Sequence, residues 1–157
     1  MQVNEITGGL GARGLRFAIV ASRFNDFIVD RLLEAAVKTL IAAGAESGDL
    51  DVVRVPGAIE IPQALKLLAA ANRYDGLLAI GCVIRGETPH FDYVAGEASR
   101  GVTDVSLSHQ VPVGFGILTV DTIEQANARS GPESNNKGAE AALAVIEMAN
   151  LRRRLAT

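Results

Sequence analysis

The sequence predicts an α/β fold in which a four-stranded parallel sheet lies between two layers of helices. Apolar runs of strand length alternate along the chain with segments whose apolar residues recur at helical spacing. The runs are continuously apolar rather than alternating, which is typical of strands buried on both faces. The 157 residues suit one domain of ordinary size. Because crossovers between parallel strands are right-handed, we expect a three-layer, flavodoxin-like domain.

Four segments have the composition and length of buried strands. In each of them Val, Ile, Leu, Ala or Phe dominate, and Gly, Pro or polar residues lie close to their ends. In chain order they are residues 15–22 (LRFAIVAS), 51–55 (DVVRV), 77–84 (LLAIGCVI) and 113–120 (VGFGILTV).

Helical segments are predicted between and after these strands. The first begins at Asn25 or Asp26 as a cap, and its apolar stripe stops at Gly44. Asp121 and Glu124 have the spacing of a capping box for a short fourth helix. The last helix finishes in three arginines, whose charge suits a helix C-terminus. The predicted helices cover about residues 26–43, 62–71, 90–108, 121–130 and 137–155.

Residues 1–14 are expected to form a flexible N-terminal arm before a single domain over residues 15–157. The arm holds Gly9, Gly11 and Gly14 in the order of a dinucleotide-binding fingerprint. That fingerprint works only between a strand and the helix that follows it, where the helix N-terminus meets the pyrophosphate. Because these glycines precede the first strand, we assign no dinucleotide site to them.

Composition narrows the classes of function. The single cysteine, Cys82, excludes an internal disulfide framework and is typical of a reducing compartment. One thiol with only His90 and His109 makes a structural zinc site unexpected. The net charge of −3 argues against nucleic-acid binding. No apolar run has the length of a membrane span and the N-terminus lacks a signal-peptide pattern, so we expect a cytoplasmic protein without a membrane partner.

Chemically useful residues follow the predicted strands at their carboxyl ends, where parallel sheets bind ligands. Phe24 could stack on a flat ring, and Glu60 could accept hydrogen bonds from hydroxyl or amide groups. The turn over residues 86–88 could offer backbone N–H groups to an anion, and His90 can transfer protons near neutral pH. Together these groups predict a site for a flat, polar small molecule.

Each of these residues also has a purely structural interpretation. Phe24 could pack on the first helix, and Glu60 could cap the second. Residues 86–88 could form an ordinary strand-to-helix turn, and His90 could be a cap or a surface residue. Cys82 is expected to be a buried, inert thiol. The functional interpretation depends on the joint occurrence of these groups at the ends of the predicted strands.

Five segments make the sequence resemble the lumazine synthase family, in order and in spacing. They are IVASRFN (19–25), VPGAIEIP (55–62), GCVIRGETPHFDYV (81–94), FGILTVDTIEQA (115–126) and NKGAEAALAVIEMANL (136–151). The resemblance covers nearly the whole chain, and its most specific stretch runs from Arg85 to Tyr93. It implies a transferase of riboflavin biosynthesis that condenses 5-amino-6-(D-ribitylamino)uracil with 3,4-dihydroxy-2-butanone 4-phosphate. Imine formation, phosphate elimination and ring closure give 6,7-dimethyl-8-ribityllumazine, without a metal or organic cofactor.

The resemblance also implies a role for individual residues. His90 matches the residue that transfers protons. Substrate contacts are implied for Phe24 (stacked on the pyrimidine), Ala58, Ile59 and Glu60 (ribityl chain), Cys82, Val83 and Ile84 (ring), and Phe115. Phosphate contacts are implied for Glu87, Thr88 and Arg129. Because Phe115, Arg129 and Lys137 match residues that a neighbouring subunit supplies, the complete site is expected between subunits.

Two residues depart from the family pattern. Glu87 stands where many relatives have a small residue, and Glu133 stands near where a number of them carry lysine. Both changes make the expected phosphate environment less cationic, so weaker binding of the phosphate substrate is expected.

Self-assembly is the last implication of the resemblance. The family forms homopentamers, some of which close into icosahedral, sixty-subunit shells, and the short linker over residues 131–136 favours the shell. Residues 1–10 are then expected to add a strand to a neighbour's sheet, and riboflavin synthase is an expected associate. The alternative functions are a non-catalytic flavin or lumazine carrier and a structural shell protein on the same scaffold.

Overall fold

The computed structural model describes residues 2–132 and 135–156, in which a four-stranded sheet is flanked by five α-helices. The strands are β1 (Phe17–Ser22), β2 (Leu50–Val55), β3 (Gly76–Ile84) and β4 (Val113–Val120). The helices are α1 (Asp26–Ala42), α2 (Ile61–Ala70), α3 (His90–His109), α4 (Ile123–Arg129) and α5 (Lys137–Ala156). The predicted strands and helices are confirmed, with ends that differ by a few residues.

The sheet has the order β2-β1-β3-β4, and each neighbouring pair is parallel. The chain leaves β1 toward β2 on one side and then crosses back to β3 and β4 on the other. This reversal leaves a crevice outside the carboxyl ends of β1 and β3, which is where open parallel sheets bind ligands. β4 is an edge strand, so the side that does not face β3 is unpaired within the described sheet.

Two helical layers cover the sheet. α1 and α5 pack on one face, and α2 and α3 pack on the other. Successive side chains of β3 enter opposite layers, with Ile80 and Cys82 on the α1/α5 side and Ala79 and Val83 on the other. The expected three-layer architecture is therefore confirmed.

Two helix starts differ in detail from their predicted caps. Asn25 occupies the N-cap position of α1 with φ at 61°, but its Nδ2 atom donates to the Cys82 carbonyl oxygen at 2.9 Å. For α4 the capping box consists of Thr122 and Gln125, one residue later than the box predicted at Asp121. The Asn25 side chain therefore ties the end of β1 to β3, while its carbonyl oxygen accepts hydrogen bonds from the Ile28 and Val29 N–H groups of α1.

The N-terminal arm is attached to α5. Asn150 donates through Nδ2 to the carbonyl oxygens of Gly9 at 2.8 Å and Gly11 at 2.9 Å, and Arg154 donates to the Thr7 carbonyl oxygen at 2.6 Å. α5 thus supplies side-chain donors for the carbonyl groups of residues 7–11, and the flexibility of the arm stays a prediction. The described residues before Thr7 are exposed.

Candidate active site

A cleft with a volume of ≈ 410 Å³ opens at the carboxyl ends of β1, β2 and β3, in the size range of small-molecule sites. The sequence-predicted residues that line it are Phe24, Ala58, Ile59, Glu60, Cys82, Val83, Ile84, Thr88 and His90. Phe91 and Val94, on the first turns of α3, also line it although the sequence analysis assigned them no role. Phe91 and Val94 are three residues apart in a helix predicted to follow a strand. That spacing could have indicated that they share a helix face.

Phe24 lies at the cleft with an exposed ring. Its side chain is 71% exposed, which disagrees with the alternative that it packs on α1. The backbone N–H groups of Arg23 and Phe24 donate to the carbonyl oxygens of Val55 at 2.8 Å and Pro56 at 3.0 Å. These bonds continue the β1–β2 contact beyond the strand end and hold the Phe24 backbone, so the ring can offer a face to a flat ligand.

Glu60 closes the short 3₁₀ turn over Ala58–Glu60. Its Oε1 atom accepts a hydrogen bond from the Gly57 N–H at 2.8 Å, so it caps this turn rather than α2. The carboxylate is half-buried and lines the cleft. Because a carboxylate accepts several hydrogen bonds, Glu60 is oriented by Gly57 and retains acceptor capacity for a ligand hydroxyl or amide.

The connection between β3 and α3 carries the predicted anion site. Gly86 and Thr88 line the cleft, whereas Glu87 is exposed and is not among the described lining residues. The His90 N–H donates to Thr88 Oγ1 at 3.4 Å at the start of the 20-residue helix α3. Backbone N–H groups at a helix start favour an anion. The departure at Glu87 therefore leaves the loop able to meet phosphate with Thr88 and backbone donors.

His90 is the first residue of α3 and is exposed at the cleft. Its backbone position is set by the helix, and its ring is accessible to a bound ligand. Phe24 and Thr88 line the same cleft, so an imidazole, an aromatic ring and a hydroxyl share one space. This arrangement can bind a planar, polar molecule and transfer protons to or from it.

Cys82 lies on the cleft floor as a neutral thiol. Its side chain is 3% exposed, and burial raises the pKa of the thiol to about 11. Burial therefore disfavours the thiolate at neutral pH, and a thiolate is the form that a nucleophilic cysteine requires. The predicted burial of the thiol is confirmed, and its inertness stays a prediction.

A groove of ≈ 580 Å³ along the outer edge of β4 contains the three residues expected to serve a neighbouring subunit, Phe115, Arg129 and Lys137. Phe115 is 46% exposed. Arg129 donates through Nη1 to the Gln125 carbonyl oxygen at 3.0 Å, and Lys137 Nζ lies 3.3 Å from Glu140 Oε1. Among the described residues, the cleft and the groove share no lining residue.

Lysine and arginine side chains are distributed unequally between the cleft and the groove. No lysine or arginine is among the described residues that line the cleft, whereas the groove has Arg129 and Lys137. Glu133, the second departure from the family pattern, lies outside the described residues. An anion in the cleft of a single chain would thus meet backbone and hydroxyl donors and the imidazole of His90, but no lysine or arginine from the described lining.

Metal-binding clusters and membrane-spanning helices are both absent from residues 2–132 and 135–156. These residues contain no group of three or more His, Cys, Asp and Glu side chains that could hold a metal ion. None of their helices combines the length and the hydropathy that crossing a bilayer requires.

Comparison with known proteins identifies close relatives. A family model described as 6,7-dimethyl-8-ribityllumazine synthase matches residues 14–153. Proteins named 6,7-dimethyl-8-ribityllumazine synthase from Nitratidesulfovibrio vulgaris and Desulfotalea psychrophila are each 55% identical to this chain, over 94% of its length and 94% and 96% of theirs. The protein of that name from Lawsonia intracellularis is 52% identical over 93% of both chains.

Proposed function

The chain belongs to the 6,7-dimethyl-8-ribityllumazine synthase family, and on that basis we propose that its cleft is the part of an active site that each chain provides for itself. Membership makes the chain a transferase of riboflavin biosynthesis. Its two substrates are 5-amino-6-(D-ribitylamino)uracil and 3,4-dihydroxy-2-butanone 4-phosphate. The observation that carries the proposal is the meeting of an aromatic ring, a carboxylate, a hydroxyl and an imidazole in one cleft.

The uracil substrate binds between Phe24 and the end of β3. The exposed Phe24 ring stacks on the pyrimidine, while residues 82–84 border the ring and residues 58–60 border the ribityl chain. Glu60, oriented by Gly57, accepts hydrogen bonds from ribityl hydroxyl groups.

The phosphate substrate binds at the loop before α3. Thr88 and the backbone N–H groups of residues 86–88 contact the phosphate, with Glu87 outside the cleft. Arg129 of a neighbouring copy supplies the cation, since a guanidinium group can bind phosphate through two parallel hydrogen bonds. The lack of a lysine or arginine in the described cleft lining supports this division.

The chemistry then needs little beyond alignment and proton transfer. The amine of the uracil attacks the ketone, and loss of water gives an imine. Phosphate is eliminated, and ring closure releases a second water. His90, exposed at the cleft, transfers protons in these steps. Holding two reactants together supplies most of the acceleration in such a condensation.

The active unit is a homo-oligomer in which the groove of one copy completes the cleft of the next. Phe115, Arg129 and Lys137 are then the residues that one copy lends to its neighbour. The copies form pentamers, and these pentamers join into a closed, sixty-subunit shell. The exposed residues 2–6 of the arm add a strand to a neighbour's sheet.

Two further proposals concern the cellular setting. The single, buried thiol of Cys82 fits the reducing cytoplasm. The product of this reaction is a substrate for the next enzyme of the pathway, so we propose association with riboflavin synthase.

The first experiment mixes the purified protein with both substrates and follows lumazine absorbance and fluorescence against the uncatalysed reaction. Product formed above that background supports the enzyme. No excess product, with the uracil substrate still bound, would instead support a carrier.

A second experiment tests the shared site directly. The cleft variant Phe24→Asp/His90→Ala and the groove variant Arg129→Ala are assayed separately and after unfolding and refolding as a one-to-one mixture. If sites form between copies, about a quarter of the sites in the mixture combine an intact cleft with an intact groove and regain activity. A mixture no more active than its components would contradict the shared site.

The assembly itself is tested by size-exclusion chromatography with light scattering. A shell elutes early with a mass near sixty chains, whereas a pentameric mass would refute the proposed shell. Deletion of residues 2–6 should reduce assembly if the arm joins neighbours.

A further inference from the structure

Arg85, at the end of β3, contacts three separate parts of the framework around the cleft. Its Nε atom donates to Asp121 Oδ1 at 2.7 Å, and its Nη1 atom lies 3.5 Å from Asp92 Oδ1. Its guanidinium carbon lies 4.4 Å from the centre of the Phe91 ring. The Arg85 N–H also donates to the Val120 carbonyl oxygen at 2.9 Å. One residue thus joins the ends of β3 and β4 to the first turn of α3.

These contacts enclose the loop over residues 86–89. Arg85 immediately precedes this loop and Asp92 follows it in α3, so the ion pair closes the loop across its ends. The Asp92 N–H donates to the Pro89 carbonyl oxygen at 3.0 Å and completes the turn. Phe91, beneath the guanidinium group, lines the cleft beside His90. The contacts of Arg85 thus join the two ends of the segment that carries Thr88 and His90.

The charge of Arg85 is already matched by the carboxylates of Asp92 and Asp121. Arg85 is not among the described residues that line the cleft, and its guanidinium group faces these two acids and an aromatic ring. A planar guanidinium group has several N–H donors in a rigid arrangement, so it can hold two carboxylates in fixed positions relative to each other. Arg85 differs in this respect from Arg129, whose described hydrogen bond is to a backbone carbonyl oxygen.

We infer that Arg85 is a positioning residue, which holds the loop of Thr88 and the turn of His90 in the arrangement that binds the phosphate substrate. The inference rests on the proposed function of the cleft. Arg85 acts through Asp92, Asp121 and Phe91 and contacts no substrate atom. Loss of its contacts leaves the stacking face of Phe24 unchanged, so binding of the two substrates responds differently.

Three variants and a matched control test this inference. In Arg85→Gln and Asp121→Asn we expect the KM for the phosphate substrate to rise about fivefold, the size of effect that a partly exposed ion pair supports. The KM for the uracil substrate should change less than twofold. Arg85→Lys keeps the charge but loses the planar guanidinium group and should give an intermediate value. The control is Arg100→Gln, which breaks a 2.7 Å ion pair between Arg100 and Glu97, both in α3. It should leave both KM values unchanged.

Two results would overturn the inference. If Arg85 contacts the phosphate directly, Asp121→Asn frees its guanidinium group and lowers the KM for the phosphate substrate. If Arg85 serves folding alone, its variants lower Tm and the active fraction but leave both KM values unchanged. Should Arg85→Gln fail to fold, Asp121→Asn and Arg85→Lys still decide between these cases. Failure of the unsubstituted protein to make lumazine would instead overturn the proposed function, and this inference with it.

Discussion

The cleft at the strand ends and the groove along β4 differ in the kind of ligand group that each can bind. Both contain an exposed phenylalanine, Phe24 in the cleft and Phe115 in the groove. The cleft adds hydrogen-bonding groups and an imidazole, whereas Arg129 and Lys137 lie in the groove. One chain therefore carries an exposed ring with hydrogen-bonding groups in one place and two cationic side chains in another. Under the proposed function the two meet only between copies.

Sheet order explains this separation. β1 and β3 are central strands, so their carboxyl ends open into a crevice bordered by residues 56–60 and by the start of α3. β4 is at the edge, and the groove beside it is bordered by α5 and the last turn of α4. The cleft is thus a concavity within the fold, while the groove is a surface beside an unpaired strand.

Arg129→Ala is expected to have the largest effect, and it tests whether the groove and the cleft act on different substrates. Removing the guanidinium group should raise the KM for the phosphate substrate about a hundredfold, because a charged, two-point hydrogen bond to an anion is lost. The KM for the uracil substrate should change little. Steady-state kinetics with each substrate varied in turn measure both constants. An equal change in the two KM values would remove Arg129 from the phosphate site.

His90→Ala should have the next largest effect, confined to the cleft. We expect kcat to fall about thirtyfold while some activity survives, because alignment of the two reactants does not require the imidazole. Single-turnover measurement of lumazine formation separates this chemical step from binding. His109→Ala, at the other end of α3, is the control and should be fully active. Unchanged kinetics in both His90→Ala and Arg129→Ala would contradict the assigned roles.

Phe24→Ala sharpens the distinction between the two exposed phenylalanines. Loss of the stacking face should weaken binding of the uracil substrate about tenfold, since both aromatic stacking and buried area are lost. The phosphate substrate should bind almost unchanged. Calorimetric titration with the uracil substrate measures the change, and Phe27→Ala, an exposed position on α1, is the control. Equal losses in the two variants would indicate a general effect on the fold.

The smallest expected effect is a fall in the free energy of unfolding at alkaline pH. It is caused by the buried thiol of Cys82 on the cleft floor. Because burial raises the pKa of Cys82 from 9.0 to about 11, its contribution to folding is complete below pH 9 and lost as pH rises toward 11. The free energy of unfolding should fall by about 1 kcal/mol between pH 8 and pH 10 from this group. Urea denaturation at the two pH values measures the fall, and Cys82→Ala should reduce it.

A second group acts in the same direction and must be separated from Cys82. The hydrogen bond that Tyr74 donates to Asp51 raises the pKa of the phenol, and burial adds to this effect. Its contribution to stability is therefore also lost as pH rises. Tyr74→Phe removes this part, so the double variant with Cys82→Ala should show the flattest dependence on pH. A steep dependence in the double variant would contradict both assignments.

Most helices and strands could be predicted from the local pattern of apolar and polar residues. The contacts between residues that are distant in sequence could not. The six residues of β1 are all buried, as their continuous apolar character predicted. The left-handed conformation of Asn25 and its bond to Cys82 were not predictable, because residue 82 is distant in sequence. The same holds for Asn136, which caps α5 by accepting hydrogen bonds from the Gly138 and Ala139 N–H groups. Its side chain type favours a cap, but the choice among neighbouring polar residues depends on packing.

The candidate site shows the same division. Phe24, Glu60, Thr88 and His90 could be selected because each follows a predicted strand, and the ends of parallel strands lie at one edge of a sheet. The contacts of Arg85 with Asp92, Asp121 and Phe91 could not, because residues 85 and 121 meet only when β3 pairs with β4. Sequence spacing gives no distance between side chains on different strands.

The sequence by itself determined the order of strands and helices along the chain, the burial of the central strands and the family to which the chain belongs. Hydrophobic periodicity and chain-local motifs carry that information, since both depend on neighbours along the chain. Only the tertiary structure decided that the three residues expected from a neighbouring copy lie together in a groove along β4, and that Arg85 encloses the loop before α3. The physical reason is strand order, which depends on pairing between distant segments and puts β4 at the edge of the sheet.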